Sequence, residues 1–190
     1  MSDIFAPAPA TRLKTSDNRN FVVERVFCVG RNYAEHAREM GQDPDRDPPF
    51  YFTKFASTVC NADPADNLTT PYPQQTENFH HEVELVVAIG GGGKDIETAD
   101  ALSHVWGYAV GLDMTRRDLQ LVARGKGRPW DTGKNVENSC PTGRLVPVSE
   151  CGQMTSGAIS LSVNGETRQS ADVADLIWNV AEVISDLSRL

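Results

Sequence analysis

Glu82 and Glu84 stand two residues apart in the run Glu-Val-Glu-Leu-Val-Val-Ala-Ile at 82–89. Alternate side chains of a strand share a face, so both carboxylates point the same way, roughly 6.5–7 Å apart at the backbone. Positions 83, 85, 86, 87 and 89 are apolar. Like charges side by side on a buried strand are costly unless something neutralises them, and a divalent cation does so. Asp113 ends a second apolar run, Tyr-Ala-Val-Gly-Leu at 108–112, and a third carboxylate there would complete an all-oxygen site. Such donors suit Mg²⁺, Mn²⁺ or Ca²⁺ rather than zinc. The other reading of the same spacing is a solvated sheet face.

His36 and Glu39 lie three apart in a stretch of helix formers. That spacing puts them on one helix face, where the carboxylate can orient the imidazole as a base for water; it also fits an exposed pair. The string His80-His81-Glu82-Val83-Glu84 is not HExxH, because position 85 is leucine, so a zinc protease is rejected. Gly90 to Gly93 follow a strand pattern, but Lys94 precedes Asp95, so there is no Walker A loop, and GxGxxG fails at position 95. A turn is the reading that remains. Arg116, Arg117, Lys126, Arg128 and Lys134 form a basic cluster that suits a carboxylate-bearing substrate or a solvated face.

The pattern predicts strands over 22–30, 50–55, 82–89 and 106–112 and helices over 33–40, 98–105 and 115–123, with Thr115 as an N-cap. Three prolines make 43–49 a loop. Ile159, Leu161 and Val163 alternate with polar residues before Asn164-Gly165, which predicts a hairpin over 158–170. Residues 175–190 read as largely helical. Residues 1–20 are rich in Ala, Pro and Thr and read as an arm, with the domain over 21–190. Many strands with short helices indicate an α+β, mainly β fold.

The chain has 190 residues, 18 Lys and Arg against 26 Asp and Glu, and a net charge of −8. An acidic surface repels phosphate backbones, which argues against nucleic acid as a partner. Neither a membrane-spanning run nor a secretory leader is evident, so a cytoplasmic protein is expected. Cys28, Cys60, Cys140 and Cys151 include no CxxC pair and are read as reduced thiols.

Six strings together resemble the fumarylacetoacetate hydrolase family: CVGRNYAEHAREMG (28–41), PPFYFTK (48–54), HHEVELVVAIG (80–90), GYAVGLDMTRRDLQ (107–120), GRPWDTGK (127–134) and ISLSVNGETRQS (159–170). The resemblance implies a mixed β-sandwich or roll, lacking the family's usual C-terminal strands, a homodimer, and Mg²⁺ or Mn²⁺. It implies that Glu82, Glu84 and Asp113 hold the metal and that His36 and Glu39 activate water. It implies that Lys134 adds positive charge at the reacting atoms. Arg31, Tyr33, Lys54, Arg117 and Gln120 are implied to meet the substrate, a small acidic diketone. The implied reaction is hydrolysis of a carbon–carbon bond in an acylpyruvate, fumarylpyruvate foremost, in aromatic-compound breakdown. A decarboxylase acting on oxaloacetate, or an inactive relative that only binds metal, are the alternatives. The sequence departs from the family's usual pattern at Phe55, Asn135 and Val136.

Overall fold

The computed structural model describes residues 3–33, 47–63, 65 and 67–190. The expected helix at 33–40, and with it His36 and Glu39, falls outside the described residues except for Tyr33.

The expected strand at 22–30 divides in two. Strand β1 (Arg12–Lys14) forms a hairpin with β2 (Asn20–Val22), and β3 (Val26–Gly30) pairs antiparallel with β4 (Phe50–Lys54). The central sheet contains β5 (Val59–Asn61). A two-residue strand, β6 (Phe79–His80), precedes β7 (Val83–Ile89). The tetraglycine that follows is a turn whose Gly90 amide donates to the His104 carbonyl at 2.8 Å. The expected helix at 98–105 is shorter, α1 (Thr98–Ala101) and one 3₁₀ turn, and leads into β8 (Val105–Leu112).

Thr115 does not cap a helix. It lies in β9 (Thr115–Arg116), which pairs with β6, and helix α2 (Arg117–Gly125) starts after it. The reason is competition: the Thr115 hydroxyl is already bonded to the Asp113 carbonyl and to Lys134. A single-turn helix, α3 (Asp131–Lys134), precedes β10 (Cys140–Thr142), β11 (Val146–Pro147) and α4 (Val148–Cys151). The expected hairpin is β12 (Ala158–Val163) with β13 (Glu166–Asp172). Asn164 and Gly165 have φ of 55° and 81°, the left-handed pair that a two-residue hairpin turn requires. Helix α5 covers only Val180–Leu187 of the expected 175–190, because a capping box between Asn179 and Glu182 sets its start.

The central sheet runs β11-β8-β10-β5, with β7 paired antiparallel to β8. Its two faces bury separate clusters. Val86, Ala88 and Ala109 pack with Leu13, Val59 and Leu145 on one side, while Leu85, Val87 and Tyr108 pack with Ala101, Val105 and Ile184 on the other. Strand alternation divides them this way, except at Val105, beside the register shift at Ala88 and Ile89, and it sends Glu82, Glu84, Gly111 and Asp113 to the first face. Strands and short helices together make the expected mixed α+β architecture.

Candidate active site

The register of β7 against β8 assembles the carboxylates. Glu84 pairs with Gly111, and the Asp113 amide donates to the Glu82 carbonyl at 2.8 Å. Glu82 and Asp113 are therefore cross-strand neighbours, with Cβ atoms about 4.5–5.5 Å apart on one face. Glu84 follows on the same face. Gly111 keeps the space opposite Glu84 free of a side chain: a Cβ there would come within 2.7 Å of Val86.

Three cations meet this group. Lys134 Nζ donates to Glu82 Oε2 at 2.7 Å, to Asp113 Oδ2 at 2.5 Å and to Thr115 Oγ1 at 2.8 Å. It also stands 4.8 Å from the centroid of the Phe52 ring. Arg117 donates to Glu82 Oε1, to Gln120 Oε1 at 2.5 Å and to His80 Nδ1 at 3.2 Å. Lys54, whose side chain is fully buried, donates to the Met114 carbonyl at 3.2 Å and to the Lys134 carbonyl. Its Nζ lies 3.0 Å from Asp113 Oδ1, yet that oxygen has no hydrogen bond, so the contact is ionic.

The three carboxyls titrate differently for identifiable reasons. For Glu82, burial favours the neutral acid, but Lys134 and Arg117 outweigh it and hold the group down at about 2. Asp113 is raised: burial leads and Glu82 adds, against Lys134 and Lys54. Glu84 has neither a hydrogen bond nor an ion pair among the described residues. Burial first, then the charges of Glu82 and Asp113, raise it to about 8. Tyr33 faces the same field. Its hydroxyl is buried without a hydrogen bond, and burial followed by the Glu84 charge raises it to about 12.

Among the described residues, no three carboxyl, imidazole or thiol groups as they stand form a ready cage for an ion. The Lys134 ammonium bridges Glu82 and Asp113 instead. The donor set still fits a hard cation. Its donors are all carboxylate oxygens on one face, Asp113 Oδ1 lacks a hydrogen bond, and Glu84 pays a charging penalty that a nearby positive charge would remove.

Of the basic cluster, Arg117 and Lys134 join the carboxylates; Lys126 and Arg128 are exposed. Gln120 is buried and fixes Arg117. Arg31 is linked through rings: its guanidinium lies 5.2 Å from the Phe50 centroid, and Phe50 and Phe52 both pack on Trp130, at 5.5 and 5.6 Å. Lys54 spends its ammonium on protein oxygens, which places it beneath the site. Sequence reasoning missed Thr115, Phe52 and Trp130. Thr115 carried a signal, standing two residues beyond Asp113 in an extended segment, and Trp130 sits inside the string GRPWDTGK.

Gly133 lets α3 approach α2. A Cβ there would lie 2.9 Å from the Gln120 amide nitrogen and 3.0 Å from its Cβ. Gly133→Ala is expected to cost about 1–3 kcal/mol through overpacking. It should also lower turnover by displacing the neighbouring Lys134; thermal unfolding and steady-state rates check both.

A model of the family described as "Fumarylacetoacetate (FAA) hydrolase C-terminal" matches residues 25–190. Fumarylpyruvate hydrolase of a Ralstonia species is 49% identical over 151 residues, covering 78% of this chain and 76% of that protein. Oxaloacetate tautomerase YcgM of Escherichia coli strain K12 is 36% identical over 173 residues, 90% of this chain and 76% of that protein. The crystal structure of fumarylpyruvate hydrolase from Pseudomonas aeruginosa, in complex with Mn²⁺ and pyruvate, superposes with a TM-score of 0.96 at 53% identity. It covers 99% of this chain and 81% of the other.

Proposed function

This chain belongs to the fumarylacetoacetate hydrolase family, and from that premise we propose that it hydrolyses a carbon–carbon bond of an acylpyruvate, fumarylpyruvate foremost, to fumarate and pyruvate. The observation that carries the reading is its likeness to fumarylpyruvate hydrolases in sequence and in structure together. Glu82, Glu84 and Asp113 would hold a divalent cation, Mn²⁺ or Mg²⁺; Mn²⁺ is present in the Pseudomonas structure. Bound there, such a cation polarises the substrate's oxygens and stabilises the charge released at bond scission.

The chain's own residues supply the rest. Arg117, held by Gln120 and Glu82, presents a guanidinium suited to a substrate carboxylate. His36, oriented by Glu39, takes a proton from water, and the resulting hydroxide adds to the acyl carbonyl. The bond between that carbon and pyruvate's terminal carbon then breaks. Its electron pair passes to pyruvate as an enolate, which takes up a proton. Lys134 places a buried positive charge beside that developing anion. Tyr33, which feels the Glu84 charge, and Arg31, stacked on Phe50, are the remaining candidates to meet the substrate.

The same reading makes residues 21–190 the catalytic domain, residues 1–20 an arm whose β1 packs back onto the central sheet through Leu13, and the working form a homodimer. Among the described residues no helix is long and apolar enough to cross a membrane. A cytoplasmic role in aromatic-compound breakdown accords with the activity named for the Ralstonia relative.

The test supplies the Mn²⁺-loaded protein with fumarylpyruvate and, separately, with oxaloacetate. Equimolar fumarate and pyruvate from the first, faster than any change in the second, is expected. Conversion of oxaloacetate with fumarylpyruvate left intact would replace this reading with the tautomerase or decarboxylase activities named for other relatives.

A further inference from the structure

We propose that Asn135 is a positioning residue, which holds Lys134 over the carboxylates by tying the segment that carries Lys54 to the helix that carries Lys134. Its effect on turnover rests on the hydrolase reading; its effect on Lys134 rests on geometry alone. Asn135 Oδ1 accepts from the Phe55 amide at 2.7 Å, and Nδ2 donates to the Thr53 carbonyl at 3.1 Å. These two groups flank Lys54 on one edge of an extended chain, so the side-chain amide acts as an extra rung of a ladder. Lys54 returns the contact by donating to the Lys134 carbonyl. Both ammoniums then converge on Asp113, one on each carboxylate oxygen.

Helix α3 needs this support. It has four residues, ends at Lys134 and is capped by Asn135 with no side-chain bond at its N-cap. One turn of helix has almost no stability of its own, so tertiary bonds set where it sits. Lys134 is buried and must meet three oxygens at once, which leaves little room for drift. An apolar side chain at this position could make neither bond.

The test compares wild type with Asn135→Ala, which loses these bonds and the Nδ2 bond to Asp131 Oδ1 at 3.3 Å, and Asn135→Asp, which keeps only the acceptor and sets a carboxylate beside Asp131 and the Thr53 carbonyl. Acetylation by acetic anhydride is read at single lysines by mass spectrometry, with exposed Lys94 as reference. Lys134 labelling relative to Lys94 is expected to rise several-fold in both variants, since in Asn135→Asp an acceptor replaces Nδ2 against the Thr53 carbonyl and Asp131. In the Mn²⁺-loaded enzyme, kcat on fumarylpyruvate should fall roughly ten- to a hundredfold in Asn135→Ala with KM little changed. Unchanged Lys134 labelling overturns the proposal, even if the melting temperature falls. So does raised labelling with an unchanged kcat. A wild type inactive on fumarylpyruvate sinks the hydrolase reading instead, and labelling still decides the placement of Lys134.

Discussion

Lys134→Met is expected to lower kcat on fumarylpyruvate by about 10²–10³-fold, the usual loss when a donor aimed at developing negative charge is removed. The same change should destabilise the metal-free protein strongly. Lys134 satisfies Glu82 Oε2 and Asp113 Oδ2 together, and both carboxylates stay behind when it goes. Breaking a buried ion pair by deleting one partner costs at most about 3–5 kcal/mol, and the lower end is expected here because Arg117 stays on Glu82 and Lys54 on Asp113. Methionine keeps much of the stem volume, so a cavity adds little. The two effects separate with metal. Added Mn²⁺ should recover much of the lost stability, since it supplies positive charge to the same oxygens, but it should not recover turnover. Melting curves in EDTA and in Mn²⁺ check the first half and steady-state rates the second. If Mn²⁺ raises the variant's melting temperature no more than the wild type's, Lys134 and the cation do not share those carboxylates.

Lys54→Met carries the second large effect, by a different route. The Lys54 side chain has no exposed surface and spends its ammonium on the Met114 and Lys134 carbonyls and on Asp113. Its removal leaves two backbone acceptors without this donor and Asp113 Oδ1 without a counter-charge. The Met114 carbonyl, left without a donor, costs about 1–3 kcal/mol, while the Lys134 carbonyl keeps the Ser139 hydroxyl and Asp113 keeps Lys134. The variant should unfold at markedly lower denaturant concentration than wild type. It should also lose turnover, because Asp113 and the end of α3 shift together. Wild-type stability in Lys54→Met would mean that the buried contacts of Lys54 are not what holds these elements.

The carboxylate set was legible because strand alternation is a strict rule. Glu82 and Glu84 had to share a face, and Asp113, closing a second apolar run, lies directly across from Glu82. The hairpin at Asn164-Gly165 was legible for the same kind of reason, since few residues accept two successive left-handed conformations. Thr115 was misread because a threonine before a helical pattern suits both an N-cap and a strand end. Only the contacts to Asp113 and Lys134 decide between them. The partners of Lys54 were not legible at all. A lysine in an aromatic strand says nothing of two carbonyls contributed by residues sixty and eighty positions later. The pairing of Asn135 with Thr53 and Phe55 is equally non-local, so in sequence it showed only as a departure.

Titrating Mn²⁺ into the metal-free protein and into Glu84→Ala, with free ion followed by electron paramagnetic resonance, bears on the three carboxylates themselves. One tightly held Mn²⁺ per wild-type chain and none in the variant is the expected result. Equal binding by the two proteins would mean that Glu82, Glu84 and Asp113 do not form the metal site, and the proposed hydrolysis would lose its chemical basis.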